Sequence, residues 1–218
     1  MSPSGTRWWQ RLTAPFAGPV DAHERWVVID TETTGLDPAN DALIAIGGVA
    51  VGPRGVRIGD SFEAVVRRDG AVDARNVVVH GLGREAQLAG VPAAQVLRGF
   101  IEWVGEAHLV GYHAAFDREV IERAARGAGL AFPRRPWLDC APLAAAIAPA
   151  DRAGTDASLD ACLAQHGLVC GTRHNAAGDA LTTAELLVKL RRVAEAQGRA
   201  GFSDLIALTR NRRWLPGA

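Results

Sequence analysis

Cysteine is scarce in this chain, and what there is follows no pattern. The three, Cys140, Cys162 and Cys170, form no C-x-x-C pair. That excludes a disulfide framework and a zinc knuckle, and it points to a reducing, cytoplasmic setting with the thiols as small buried apolar groups. Long hydrophobic runs are also missing. No stretch approaches the roughly 18 residues a bilayer span needs. The first residues, MSPSGTRWWQRLTAPFAGP, hold no continuous apolar segment, so no cleaved signal peptide is expected. No repeat recurs at periods of 20–50 residues, which excludes a solenoid. Lysine is almost absent, since all but one of the basic residues are Arg; this reads as base composition and carries no functional weight.

Excess charge of either sign is absent too: 24 basic residues balance 24 acidic ones. The balance hides an asymmetry. Residues 189–218 hold seven basic and two acidic side chains, leaving an acidic body with a basic tail. Such a body does not hold nucleic acid by charge alone, but it can concentrate carboxylates for metal ions. With 48% hydrophobic and 22% charged residues in 218, the chain suits one globular domain with short appendages, and not a disordered, collagen-like or coiled-coil chain.

The expected boundaries are an N-terminal extension over 1–24, a central domain over 25–198, and a basic C-terminal helix and tail over 199–218. The apolar run Trp26–Asp30 predicts a buried strand, broken by Thr33, Thr34 and Gly35. Leu43–Val51 and the alternating Arg57–Arg67 predict two more, in an antiparallel meander. Helical spacing then appears over Pro92–Gly105, a short strand at Leu109–Tyr112, a helix over Asp117–Ala128 and a short strand at Trp137–Asp139. Helices follow over 141–148, 158–166, 176–197 and 203–211, with Ser203 as a cap. The fold class is α/β, helices around a mixed sheet.

Asp30 and Glu32 end the first strand. Strand period two puts both carboxylates on one side, where they repel unless a cation lies between them. That makes a site for a hard divalent ion, although solvated strand-end acids look the same in sequence. Asp117 falls in a helical first turn after a short strand, where it also suits the helix dipole. His174 and Asp179 lie five apart, about 140° around a helix, so they converge only if His174 sits in the loop before it. A fixed acid beside a mobile histidine suits a metal ligand and an acid/base group. Asp139, after Trp137-Leu138, is expected to start a helix rather than to bind metal.

In order, VVIDTETTGLDP (Val27 to Pro38), VVVHGL (Val77 to Leu82), LVGYHAAFD (Leu109 to Asp117) and RHNAAGDALTTAELL (Arg173 to Leu187) resemble the DEDDh 3′–5′ exonucleases. These are relatives of the proofreading subunit of bacterial replicative DNA polymerase, with RNase T and oligoribonuclease. The resemblance covers residues 25–190. It implies a ribonuclease H-like fold with a five-stranded mixed sheet whose second strand runs antiparallel to the rest. It implies two Mg²⁺ or Mn²⁺ ions on Asp30, Glu32, Asp117 and Asp179, with His174 as general base. A neutral histidine base implies activity rising from about pH 6 to 8. The product is a nucleoside 5′-monophosphate released from a 3′ end.

For substrate, the resemblance assigns Thr31, Thr33 and His80 to the terminal nucleotide, Leu36 to a wedge against the last bases, His113 to a binding position and Phe116 to the packing below. Relatives commonly have Asn where His113 stands, and an acid where Arg75 stands. Single-stranded DNA is the expected substrate, from the spelling of the motifs; short RNA is the alternative, as is an accessory subunit without catalysis. A polymerase or other protein partner would dock through the terminal extensions. The segment Thr209 to Trp214 offers basic groups and one aromatic for a nucleic-acid strand.

Overall fold

The computed structural model describes residues 24–69, 81–148, 158–171 and 173–211. Trp8, Trp9, Arg75, His80 and Trp214 lie outside them. Five strands form one sheet: β1 (Trp26–Thr33), β2 (Leu43–Gly52), β3 (Gly55–Val65), β4 (His108–Gly111) and β5 (Trp137–Asp139). The strand order is β3-β2-β1-β4-β5. β2 is antiparallel to both β1 and β3, while β1, β4 and β5 run parallel. The mixed, five-stranded sheet is the one expected.

The helices are α1 (Arg84–Ala89), α2 (Ala93–Val104), α3 (Ala115–Gly127), α4 (Cys140–Ile147), α5 (Leu159–Gln165), α6 (Ala176–Ala196) and α7 (Phe202–Asn211). They cover the sheet on both faces, so its central strands are apolar throughout rather than alternating. Val27 and Ile29 of β1 face α2 and α3, with Phe62 and Phe100. Trp26 and Val28 face α4, α6 and α7, with Leu143, Leu187 and Leu205.

This alternation sets the rest of β1. Asp30 and Glu32 continue the face of Trp26 and Val28, toward α6, and Thr31 continues the face of Val27 and Ile29, toward α3. The strand runs on to Thr33, past the expected break, with a bulge between Glu32 and Thr33. Paired strand geometry thus holds both acids in fixed directions.

Two glycines of β2 let the layers close. Gly47 lies opposite Asp30 in the ladder, and a Cβ there would come within 2.1 Å of the Ala176 backbone at the start of α6. Gly48, on the other face, would meet the Trp103 ring at 2.8 Å. Sequence periodicity marked this stretch only as a strand.

α1 was not anticipated: six residues, REAQLA, give too short a run for a helical period to show. α7, expected as part of a basic extension beyond residue 198, instead closes the core, with Leu205 fully buried among the α6-side residues. Phe202 stacks on His108 at 4.1 Å and meets Trp26 edge-on at 5.3 Å. Apolar burial outweighs the charge of the segment. Ser203 lies inside this helix; the Asp204 carboxylate accepts from the Gly201 N–H in its place. No described helix is long and apolar enough to cross a membrane.

Gly47→Ala tests the close approach. The added methyl meets backbone, which cannot rotate away, so α6 must shift. We expect a loss of about 1–3 kcal/mol in chemical denaturation, with weaker Mn²⁺ binding in the same variant.

Candidate active site

The carboxyl end of β1, the start of α3 and the start of α6 converge. One carboxylate oxygen each from Asp30, Glu32 and Asp179 lie within 4.8 Å of one another. Asp30 and Glu32 arrive by strand alternation. Asp179 arrives from the first turn of α6, whose start is fixed by the Asn175 side chain accepting from the Gly178 N–H at 2.9 Å.

Asp117 lies in the first turn of α3. Its Oδ1 accepts from the Thr31 hydroxyl at 2.7 Å, and both residues are buried. The strand alternation that points Asp30 toward α6 points Thr31 toward α3, so Asp117 is not one of the three-oxygen group. It still acts on it electrostatically.

Burial, then the charges of Asp117, Asp179 and Glu32, push the Asp30 carboxyl well above the usual range. Burial, then Asp179 and Asp117, push Glu32 up to about 7. Burial likewise raises Asp117, opposed by its bonds from Thr31. Such crowding suits a hard dication, since oxygen donors and negative charge are what Mg²⁺ and Mn²⁺ require.

Sequence reasoning passed over the group that partly relieves this repulsion. The Arg173 guanidinium pairs with Asp179 and, at 2.6 Å, with Asp160 of α5. Its charge opposes the upward shifts of both Asp30 and Glu32. The available signal was an arginine directly before His174, inside the motif already quoted. Cys170, expected to be a buried apolar filler like Cys140 and Cys162, is only half-buried, and its thiol donates to Asp179 Oδ1 at 3.5 Å.

His174 lies in the turn before α6, exposed, at φ 57°. Its backbone N–H donates to Asp179 Oδ2 at 3.1 Å, which ties the loop to the acid and leaves the imidazole free. His113 is also exposed at positive φ, 54°, and its N–H donates to Asp139 Oδ1 at 2.9 Å. Asp139 also accepts from the Ala141 N–H, capping α4. Left-handed backbone at a non-glycine residue costs about 1–3 kcal/mol and gathers at functional sites; among the described residues the two instances are histidines, one bonded to Asp179 and one to Asp139. Thr33 donates to the Gly35 carbonyl at 2.5 Å. Leu36 is 93% exposed, and Phe116 is half-buried against the α2–α3 side of the core. His80 lies outside the described residues.

The raised carboxyls fix how metal-free stability varies with pH. A folded-state value of about 7 for Glu32, against an ordinary 4.5, means the folded protein keeps a proton the unfolded chain has lost. Stability therefore falls as pH rises from about 4.5 to 7, and Asp30 adds in the same direction. With chelator present, the melting temperature contribution from this site should be lower at pH 8 than at pH 5. Added Mn²⁺ should raise Tm more at pH 8, and more in Arg173→Gln than in the wild type. Scanning calorimetry checks both.

The sequence model of the exonuclease family matches residues 27–187. A DNA polymerase III subunit epsilon-like protein of Rhodobacter capsulatus is 34% identical over 190 residues, 85% of this chain and 26% of that protein. A DNA polymerase III of PolC type from Bacillus cereus is 32% identical over 173 residues, 78% of this chain and 11% of that one. The chain thus spans 26% and 11% of these relatives' lengths. Escherichia coli exonuclease I, solved with a dT13 oligonucleotide, has the same fold at a TM-score of 0.67 and 16% identity, over 80% of this chain and 42% of that one. So does the nuclease domain of 3′hExo, a DEDDh family member bound to rAMP, at 0.66 and 16%, over 78% and 92%. With these motifs, this sheet and this cluster of acids, the chain belongs to the exonuclease family whose model it matches.

Proposed function

We propose that the protein is a metal-dependent 3′–5′ exonuclease that shortens single-stranded DNA and releases nucleoside 5′-monophosphates. The observation that carries this reading is the meeting of Asp30, Glu32 and Asp179 at the end of β1, with the Asp117 charge acting on Asp30 and the His174 N–H bonded to Asp179. Asp30, Glu32, Asp117 and Asp179 would hold two Mg²⁺ or Mn²⁺ ions. Bound dications supply Lewis acidity, which makes a water more acidic and offsets charge on the leaving 3′-oxygen.

The protein's own groups do the rest. The Thr31 hydroxyl fixes one oxygen of Asp117. The His174 N–H holds Asp179 and ties the His174 backbone beside the acids, while the imidazole stays exposed to water. His174 takes the proton of the attacking water as the P–O3′ bond breaks, and the leaving oxygen regains a proton from solvent. Thr31, Thr33, His80 and His113 would contact the terminal nucleotide, Phe116 would pack beneath it, and Leu36 would press against the last bases.

DNA is favoured over RNA because the two relatives above carry the names of a DNA polymerase III subunit epsilon-like protein and a PolC-type DNA polymerase III. Short RNA is the second reading, favoured by the rAMP bound to the 3′hExo domain. The epsilon-like relative also supports a polymerase partner, docked through the terminal extensions.

Single-stranded DNA and RNA labelled at either end test the reading. We expect stepwise shortening from the 3′ end, stopped by chelator and by Asp30→Ala. His174→Ala should lower kcat by about 10²–10⁴-fold. Cleavage that survives in Asp30→Ala, or products that begin at the 5′ end, would overturn it. RNA cleaved faster than DNA would reverse the substrate order.

A further inference from the structure

Leu36 stands almost wholly in water at the tip of the loop after β1. A large apolar side chain on a slack loop folds down onto nearby apolar surface; this one is held out. The loop has an internal frame built on Asp41. Its carboxylate accepts from the Thr34 hydroxyl and the Asp37 N–H, both at 2.8 Å. Gly35 makes this possible, because a Cβ there would lie 2.5 Å from the same carboxylate. Asp37 in turn accepts from the Ala39 N–H and the Asn40 side chain, at 3.0 and 2.7 Å.

These bonds shape the loop but do not seat it on the domain. Arg123 does that. From α3 its Nε donates to the Pro38 carbonyl at 2.8 Å, and a terminal guanidinium nitrogen donates to the Asp41 carbonyl. Two carbonyls three residues apart are gripped by one planar fork, which a lysine cannot reproduce. α3 also carries Asp117, so one rigid helix holds a proposed metal ligand and the loop that displays Leu36.

We propose that Arg123 is a positioning residue for substrate: it sets the distance between Leu36 and the acid cluster, and so governs how firmly an oligonucleotide is held at its 3′ end. The inference rests on the nuclease reading above. Arg123 touches neither substrate nor metal and acts only through the loop. It therefore matters for a strand whose last bases meet Leu36, and not for a lone nucleotide ester that has no neighbouring base.

Steady-state kinetics on single-stranded oligothymidylate and on the p-nitrophenyl ester of thymidine 5′-monophosphate separate the two. Arg123→Ala should raise KM for the oligonucleotide about tenfold, with ester hydrolysis within about twofold of wild type. Arg123→Lys, which keeps the charge and at most part of the fork, should fall between them; thermal melting checks that both variants fold. In a Leu36→Ala background, Arg123→Ala should add no further loss, because the two residues act through one contact. Equal losses on both substrates would show a merely structural role and overturn the inference, as would losses that multiply in the double variant. Leu36→Ala without effect on the oligonucleotide overturns it as well, while leaving the nuclease reading standing. Wild-type protein that cleaves neither substrate removes the nuclease reading, and the inference with it.

Discussion

Asp30, Glu32 and Asp179 are held closer together than their charges favour, and much of the fold exists to hold them there. Two like charges about 4 Å apart repel by roughly 4 kcal/mol at a near-surface dielectric, and here three oxygens lie within 4.8 Å. Nothing in the side chains themselves brings them together. β1 fixes two of them because its ladder to β2 and β4 leaves no freedom to twist away. α6 fixes the third because Gly47 lets its first turn press onto β2. The apolar packing on both faces of the sheet outweighs the repulsion it imposes.

The site is a seam between two layers rather than a pocket in one. β1 sends Asp30 and Glu32 to the α6 side and Thr31 to the α3 side. Asp117 is held from the α3 side by the Thr31 hydroxyl and acts on Asp30 through its charge. Any movement of α3 relative to α6 changes the spacing of Asp117 from the other acids. The shared support of Asp117 and the Leu36 loop on α3 has the same origin: the segment after β1 leaves on the α3 side, where Arg123 meets it.

What the sequence made legible follows from period. β1, β2 and β4 read as apolar runs, and α2, α3 and α6 read as helices, so strands and helices around a mixed sheet could be placed; that the acids at the end of the central strand meet came from the resemblance of the motifs. Asp139 read as a helix-starting residue and caps α4. Features set by contact between distant segments could not be read that way. Gly47 looks like any strand glycine until α6 is packed on it. Arg173 looks like a solvated arginine until Asp160 and Asp179 are brought beside it. Arg123 falls on a helix face with nothing to mark the loop it grips. α7 read as a helix of a basic extension, because its period and net charge are visible in sequence and the place waiting for Leu205 is not.

Asp179 ties these strands of the argument together, since more groups converge on it than on any other acid of the cluster. It meets the His174 N–H, the Cys170 thiol and the Arg173 guanidinium, and it belongs to the three-oxygen group. A dication bound to that group would draw on the same oxygens that Arg173 now neutralises. Cation and guanidinium are therefore competitors for one carboxylate, and each weakens the other's hold. Arg173 has Asp160 to fall back on, at 63% side-chain exposure, so leaving Asp179 does not strand a buried charge. The arrangement stabilises the acids without metal and would leave Asp179 open to a metal ion, at the cost of part of the binding energy. His174, one residue on, is bonded to the same carboxylate. Occupancy of Asp179 and the stance of the proposed base are thus linked through a single side chain.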